Sequence, residues 1–209
     1  MKRIFYLNFF LVFTKIMNAI CYFDGKLSPR RICGTITFSQ KSKTAPVVMN
    51  LDLKNFGKNQ VHAIHIHEFG NLSKGCHSTG KHFNPDNFVH GLLHKNHHAG
   101  DIMSNIETSP VDGSVRLRYK DQRISLFPGK YCILGRAIVI HEYPDDLGDS
   151  DKYTTWTYSA LKKFAIQRGY IEKEDTKTHA ELLSMIQEQS LQTGNAGGRM
   201  TCAVIGIDH

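Results

Sequence analysis

VHAIHIHEFG, residues 61–70, is the stretch from which the rest of the chain is best read. Successive side chains on a β-strand point to opposite faces, so His65 and His67, two residues apart, leave the same face close enough to share one ion. Neutral imidazole is the commonest biological ligand for copper and zinc. Beyond the strand, the chain from Gly70 to Gly100 is rich in Gly, Asn, Ser and His and has no helix or strand period. So long a loop inside a compact domain is ordinarily functional or disordered. It supplies His82, His90 and His98, followed at once by Asp101. A lone loop histidine ordinarily faces solvent, so the argument rests on the set and its context.

Working outward, short β-branched and apolar segments recur with turn signals between them, at 32–38, 47–53, 61–67, 115–119, 133–141 and 201–207. Such spacing without intervening helices predicts an all-β antiparallel sandwich or barrel. In ILGRAIVIHE (133–142), Ile133, Gly135, Ala137, Val139 and His141 share a face, so His141 emerges at a strand end, where a rigid element can hold a ligand. Residues 149–192 differ in kind. DKYTTWTYSALKKFAIQRGY and THAELLSMIQEQSL read as helices, with Leu182, Leu183, Met185 and Ile186 as an apolar stripe, Thr178 with Glu181 as a capping box and Gly169 as a stop.

At 209 residues and 41% hydrophobic, the chain suits one well-buried domain with an appendage. The net charge of +7 favours anionic partners. The basic residues are thinly spread. In SVRLRYKD (114–121), Arg116, Arg118 and Lys120 share one strand face, which reads as solvated rather than as a nucleic-acid stripe. At the N-terminus, Lys2 and Arg3 precede an apolar run from Ile4 to Phe13, too short to span a bilayer. Residues 1–19 read as a secretory signal or as an intracellular N-terminal tail, with the domain proper at 20–209. Lys15 and Met17 fit a cleavage site poorly, and the compartment stays open. The five cysteines, Cys21, Cys33, Cys76, Cys132 and Cys202, are an odd number, so at least one is unpaired within a monomer.

HIHEFG (65–70), GKHFNP (80–85), VHG (89–91), HAGD (98–101), GRAIVIHE (135–142), DDLG (145–148) and TGNAGGR (193–199) with the Cys after it occur in this order. The chain thereby resembles the copper,zinc superoxide dismutases from about Cys21 to Ile207. The resemblance implies a Greek-key β-sandwich or barrel of about eight antiparallel strands with long loops, here carrying a two-helix insertion at about 149–192. It implies one copper per subunit on His65, His67, His82 and His141. One zinc per subunit would sit on His82, His90, His98 and Asp101, with His82 bridging the ions and relaying a proton. The implied reaction converts two superoxide anions and two protons to molecular oxygen and hydrogen peroxide. Arg199, presented by a Gly-rich turn, would dock the anion. Asp145 would accept hydrogen bonds from His65 and His90, and Cys76 would pair with Cys202.

The resemblance further implies a homodimer formed through Phe69, Gly70, Ile133 to Gly135 and Val204 to Ile207. His62, His77, His94, His97, His179 and His209 match no family role. There are departures. Gln192 stands where the family commonly has a lysine. Gly198 and Met200 flank Arg199 where chaperone-dependent relatives carry proline, so loading without a copper chaperone is expected. The insertion is a surface appendage, or else a lid, a docking hairpin or a dimer extension. The competing readings are a non-catalytic metal-binding or chaperone-like module, for which the Cys-X-X-Cys pair is missing, and an interaction protein whose insertion blocks the copper channel.

Overall fold

A computed structural model describes residues 16–208. Two antiparallel sheets face each other across one core. The first, of five strands, contains β1 (Met17–Asp24), β2 (Cys33–Gln40), β3 (Val47–Lys54), β7 (Val115–Asp121) and β10 (Gly206–Asp208), in the order β10-β1-β2-β3-β7. The second contains β4 (Val61–His67), β6 (Ser104–Glu107), β8 (Ala137–His141) and β9 (Arg199–Val204), in the order β6-β4-β8-β9. A short strand, β5 (Ser73–Cys76), follows β4.

Alternation builds the first sheet: on β3, Val47, Met49, Leu51 and Leu53 are buried while Asn50, Asp52 and Lys54 are exposed. In the second sheet β4 and β8 are buried on both faces. Ile64, Ile66, Ile138 and Ile140 enter the shared core. The opposite face carries His65, His67 and His141, so the pleat itself sends apolar side chains one way and imidazoles the other. Antiparallel register sets Ile66 against Ile138 and His65 against Val139, and a bulge after Ile140 brings Arg199 opposite His141.

The described residues form ten strands, nine of them in the two sheets, in keeping with the expected antiparallel sandwich of about eight. The expected strand at 133–141 begins only at Ala137, because Gly135 takes φ 77° and Arg136 N–H bonds back to Ile133 O, a turn that cannot continue a ladder. The expected segment 201–207 splits at Ile205: β9 stays in the second sheet, and β10 crosses to pair with β1. β1, β5 and β6 were not expected, and β5 falls inside the stretch from Gly70 to Gly100 that shows no strand period. β6 has four residues, too few for alternation to stand out. β1 starts at Met17 and pairs along its length with β2, so the expected boundary at 19/20 falls inside a strand. The remainder of the expected leader lies outside the described residues.

Two helices follow β8: α1 (Tyr158–Gln167) and α2 (His179–Thr193). Thr178 and Glu181 form the reciprocal capping box that opens α2. Tyr153, Leu161, Ala165, Ile171, Leu182 and Ile186 make a second small core, separate from that between the sheets. Among the described residues, no helix is long and apolar enough to cross a membrane.

Candidate metal centre

His65, His67 and His141 each have one ring nitrogen engaged in a way that leaves the other free for a ligand. His67 Nδ1 donates to Gly80 O at 3.0 Å, and His141 Nδ1 donates to Gly197 O at 3.3 Å. Their Nε2 atoms then lie 3.4 Å apart. His65 Nε2 donates to Asp145 Oδ2 at 2.6 Å, and the buried His65 Nδ1 has no partner. His82 Nδ1 lies 3.1 Å from Asp101 Oδ1, and the buried His82 Nε2 has none either. Ligand atoms of His65, His67, His82 and His141 all fall within 4.8 Å of one another. Four imidazole nitrogens and no carboxylate suit copper.

His82, His90 and Asp101 form a second group with His65 under the same limit. His98 adjoins it, its Nδ1 lying 3.3 Å from Asp101 Oδ1, and His90 Nδ1 lies 3.0 Å from Asp101 Oδ2. A tetrahedral ion with ligands at 2.0–2.1 Å sets them about 3.3 Å apart, so these spacings fit zinc. The buried His90 Nδ1 and His98 Nδ1 lack hydrogen-bond partners, which a metal would supply. His90 Nε2 donates to Asp145 Oδ1 at 3.0 Å, so this one carboxylate orients an imidazole of each group. Asp145 belongs to the DDLG turn, and Gly194 must be glycine opposite it: at φ 66°, a Cβ would lie 2.1 Å from Asp145 Oδ1.

The electrostatics hold three of the imidazoles neutral. Burial first, and the neighbouring His65 second, push His82 down to about 3. Burial and nearby imidazoles also hold His67 and His141 well below their ordinary value of 6.5. Burial opposes charge on His90 too, but Asp101 and Asp145 outweigh it and raise its pKa to about 10.

Arg199 Nη1 donates to Cys76 O at 2.7 Å and Thr79 Oγ1 at 3.0 Å, and Nη2 donates to Gly80 O at 2.6 Å. Gly80 O thus serves both Arg199 and His67. Cys76 is disulfide-bonded to Cys202, 126 residues on, while Cys21, Cys33 and Cys132 are free. A cleft of about 940 Å³ reaches His67, His82, His141 and Arg199, and Arg168 and Tyr170 just after α1, with residues of α2, wall its other side.

A family model described as copper/zinc superoxide dismutase (SODC) matches residues 32–166, well over half of the chain. The chain belongs to the copper/zinc superoxide dismutase family. It is 34% identical over 175 residues to superoxide dismutase [Cu-Zn] of Cryptococcus neoformans var. grubii, covering 83% of this chain and 89% of that protein. To superoxide dismutase [Cu-Zn] of Schizosaccharomyces pombe it is 34% identical over 178 residues, covering 85% and 91%. The crystal structure of the clock protein EA4 superposes with a TM-score of 0.66 at 32% identity, covering 94% of this chain and 98% of that one.

Three residues at the centre of this family member were not singled out from the sequence. His62, set aside above, is buried and donates from Nδ1 to His141 O at 3.0 Å. Its place three residues before His65 puts it on the opposite strand face, a signal that was available. Asp146 accepts from Tyr153 Oη, Ser190 Oγ and Asn195 Nδ2 at 2.8–2.9 Å, tying the insertion to the turn beside Asp145. Arg168 reaches the cleft from the end of α1. No local motif announces Asp146 or Arg168, because their partners lie far along the chain.

Proposed function

We propose that this superoxide dismutase binds copper through His65, His67, His82 and His141 and zinc through His82, His90, His98 and Asp101. Bound copper supplies a one-electron redox couple, and zinc supplies fixed charge and geometry without redox change. The carrying observation is the convergence of partnerless His65 Nδ1 and His82 Nε2 with the facing Nε2 atoms of His67 and His141. Arg199 is the anion dock. Its guanidinium is half-buried and fixed by four acceptors, so it holds an oxygen anion without reorganising. His82 holds and delivers a proton at Nε2. Asp145 keeps His65 and His90 in the tautomer that leaves each Nδ1 free.

Reconstitution with both metals, followed by metal analysis and superoxide disproportionation, tests this reading. The expected result is one copper and one zinc per chain, with activity falling about tenfold or more in Arg199→Ala at unchanged metal content. An active protein that ignores Arg199→Ala loses the dock. An inactive protein that becomes active when residues 150–191 are deleted would instead have a blocked channel.

Homodimer formation is part of the proposal, supported by Phe69 and Ile207, which are 55% and 57% exposed although large and apolar. A sedimentation mass of one chain at micromolar concentration refutes it. Loading without a chaperone is proposed from Gly198 and Met200 beside Arg199. Recovery of only copper-free, disulfide-reduced protein from cells lacking the chaperone refutes that. We also take 149–192 as an insertion within a single domain, which includes β1 from Met17 rather than starting at residue 20.

A further inference from the structure

The insertion places a second guanidinium at the cleft, and nothing in the metal centre requires it. Arg168 follows α1, and its guanidinium carbon lies 3.8 Å from the centre of the Tyr143 ring and 4.5 Å from that of Phe164. Nε donates to Asn195 O at 2.7 Å. Among the described residues neither Nη has a hydrogen-bond acceptor and no carboxylate forms an ion pair with the group. Arg168 is half-buried on the cleft shared with His67, His82, His141 and Arg199. A guanidinium stacked between rings cannot swing away as a surface lysine does, so its charge is held in place.

Arg168 sets the sign of the side-chain charge lining this cleft. Lys81, Arg168 and Arg199 face Glu68 and Glu188, a balance of one positive charge with the histidines neutral. Without Arg168 the lining is neutral. Gln192, which also lines the cleft, is uncharged and contributes nothing to the sum. Charge of one sign in a cleft with low-dielectric walls focuses the field and raises the encounter rate with oppositely charged substrate.

We propose that Arg168, delivered by the helical insertion, guides the superoxide anion into the cleft toward Arg199, so that the insertion is part of the substrate path. The inference rests on the function proposed above.

The test uses the full chain loaded with copper and zinc, with disproportionation rates per bound copper measured by pulse radiolysis across ionic strength. Arg168→Gln is expected to lower the rate about two- to fourfold at low salt. The gap should close at about 0.5 M salt, where screening falls to a few ångströms. Arg168→Lys should retain most of the rate, and adding Gln192→Lys to Arg168→Gln should restore the salt slope by returning the charge at another point of the cleft. Azide binding, read from the copper absorption of the loaded protein, should weaken by a similar factor in Arg168→Gln. Equal rates and equal azide affinity for Arg168→Gln and the unmodified protein overturn the proposal. So does a loss that is the same at every salt concentration and not recovered by Gln192→Lys, which marks a structural role. If the unmodified, fully loaded protein does not disproportionate superoxide, both readings fall. If it does and Arg168→Gln matches it, only this one falls.

Discussion

Asp145 carries two imidazoles on one carboxylate, at 2.6 Å from His65 and 3.0 Å from His90, with its side chain fully buried. Acceptors that orient metal-binding histidines are worth about 10- to 100-fold in metal affinity. Asp145→Ala is therefore expected to weaken zinc binding by that range and to loosen His65 as well, measured by competition with a chromophoric chelator. Unchanged zinc affinity would mean the carboxylate does not set the ligands. The imidazoles also fix how the metal-free protein responds to acid. His82 falls from 6.5 to about 3 in the fold, and His67 and His141 shift the same way. The unfolded chain thus takes up more protons as pH drops, so their contribution is present above 6.5 and is lost as pH falls through about 3. His90, raised to about 10, acts oppositely: its contribution is present below 6.5 and is lost as pH rises through about 10. Three groups oppose one, so the melting temperature of the metal-free protein should fall from pH 7 to pH 4 in a calorimetric series. A flat profile over that range would contradict the assignment.

At the scale of elements, the helical hairpin stands on its own small core and on a polar hinge. Leu182 and Ile186 are fully buried against Leu161 and Ala165, and Asp146 is the hinge, accepting from Tyr153, Ser190 and Asn195. Leu182→Ala should cost about 2–5 kcal/mol, the usual range for a truncated core leucine. Because that core is separate from the one between the sheets, the loss should appear first as faster amide hydrogen exchange in α1 and α2, ahead of β4 and β8. Uniform exchange across the chain would show instead that hairpin and sandwich open together. The hairpin also marks how far sequence reading reached. The Thr178 and Glu181 box and the Leu182 to Ile186 stripe located α2 because capping and helical period are local signals. The alternation in 61–67 likewise placed His65 and His67 on one face. β1 escaped because its residues continue the apolar N-terminal run, and the start of the 133–141 segment was misjudged because the turn at Gly135 depends on Ile205, a partner 70 residues away. His98 adjoins the second ligand group through Asp101 rather than falling within it, a distinction no spacing rule resolves.

Across the whole molecule, the disulfide joins the end of β5 to β9 and so links the segment leading to His82 to the strand that begins with Arg199. Closing a loop of 126 residues stabilises by about 5 kcal/mol in the chain-entropy model. The bridge does more than restrain the unfolded chain, because Cys76 O is itself an acceptor for Arg199 Nη1. Val139 packs against both cysteines, so the segment is also seated on β8 two residues before His141. Replacing both cysteines by serine should thus have two separable effects. Chemical denaturation should show a loss of about 5 kcal/mol or less, since native packing retains part of the loop. Activity per bound copper should fall as well, because Arg199 keeps its charge but loses one of its fixed acceptors. Addition of guanidinium ion should not restore it, since the charge was never lost. If stability drops while activity per copper stays whole, the bridge only closes the chain, and the orientation of Arg199 rests on its other acceptors, His77 O, Thr79 Oγ1 and Gly80 O.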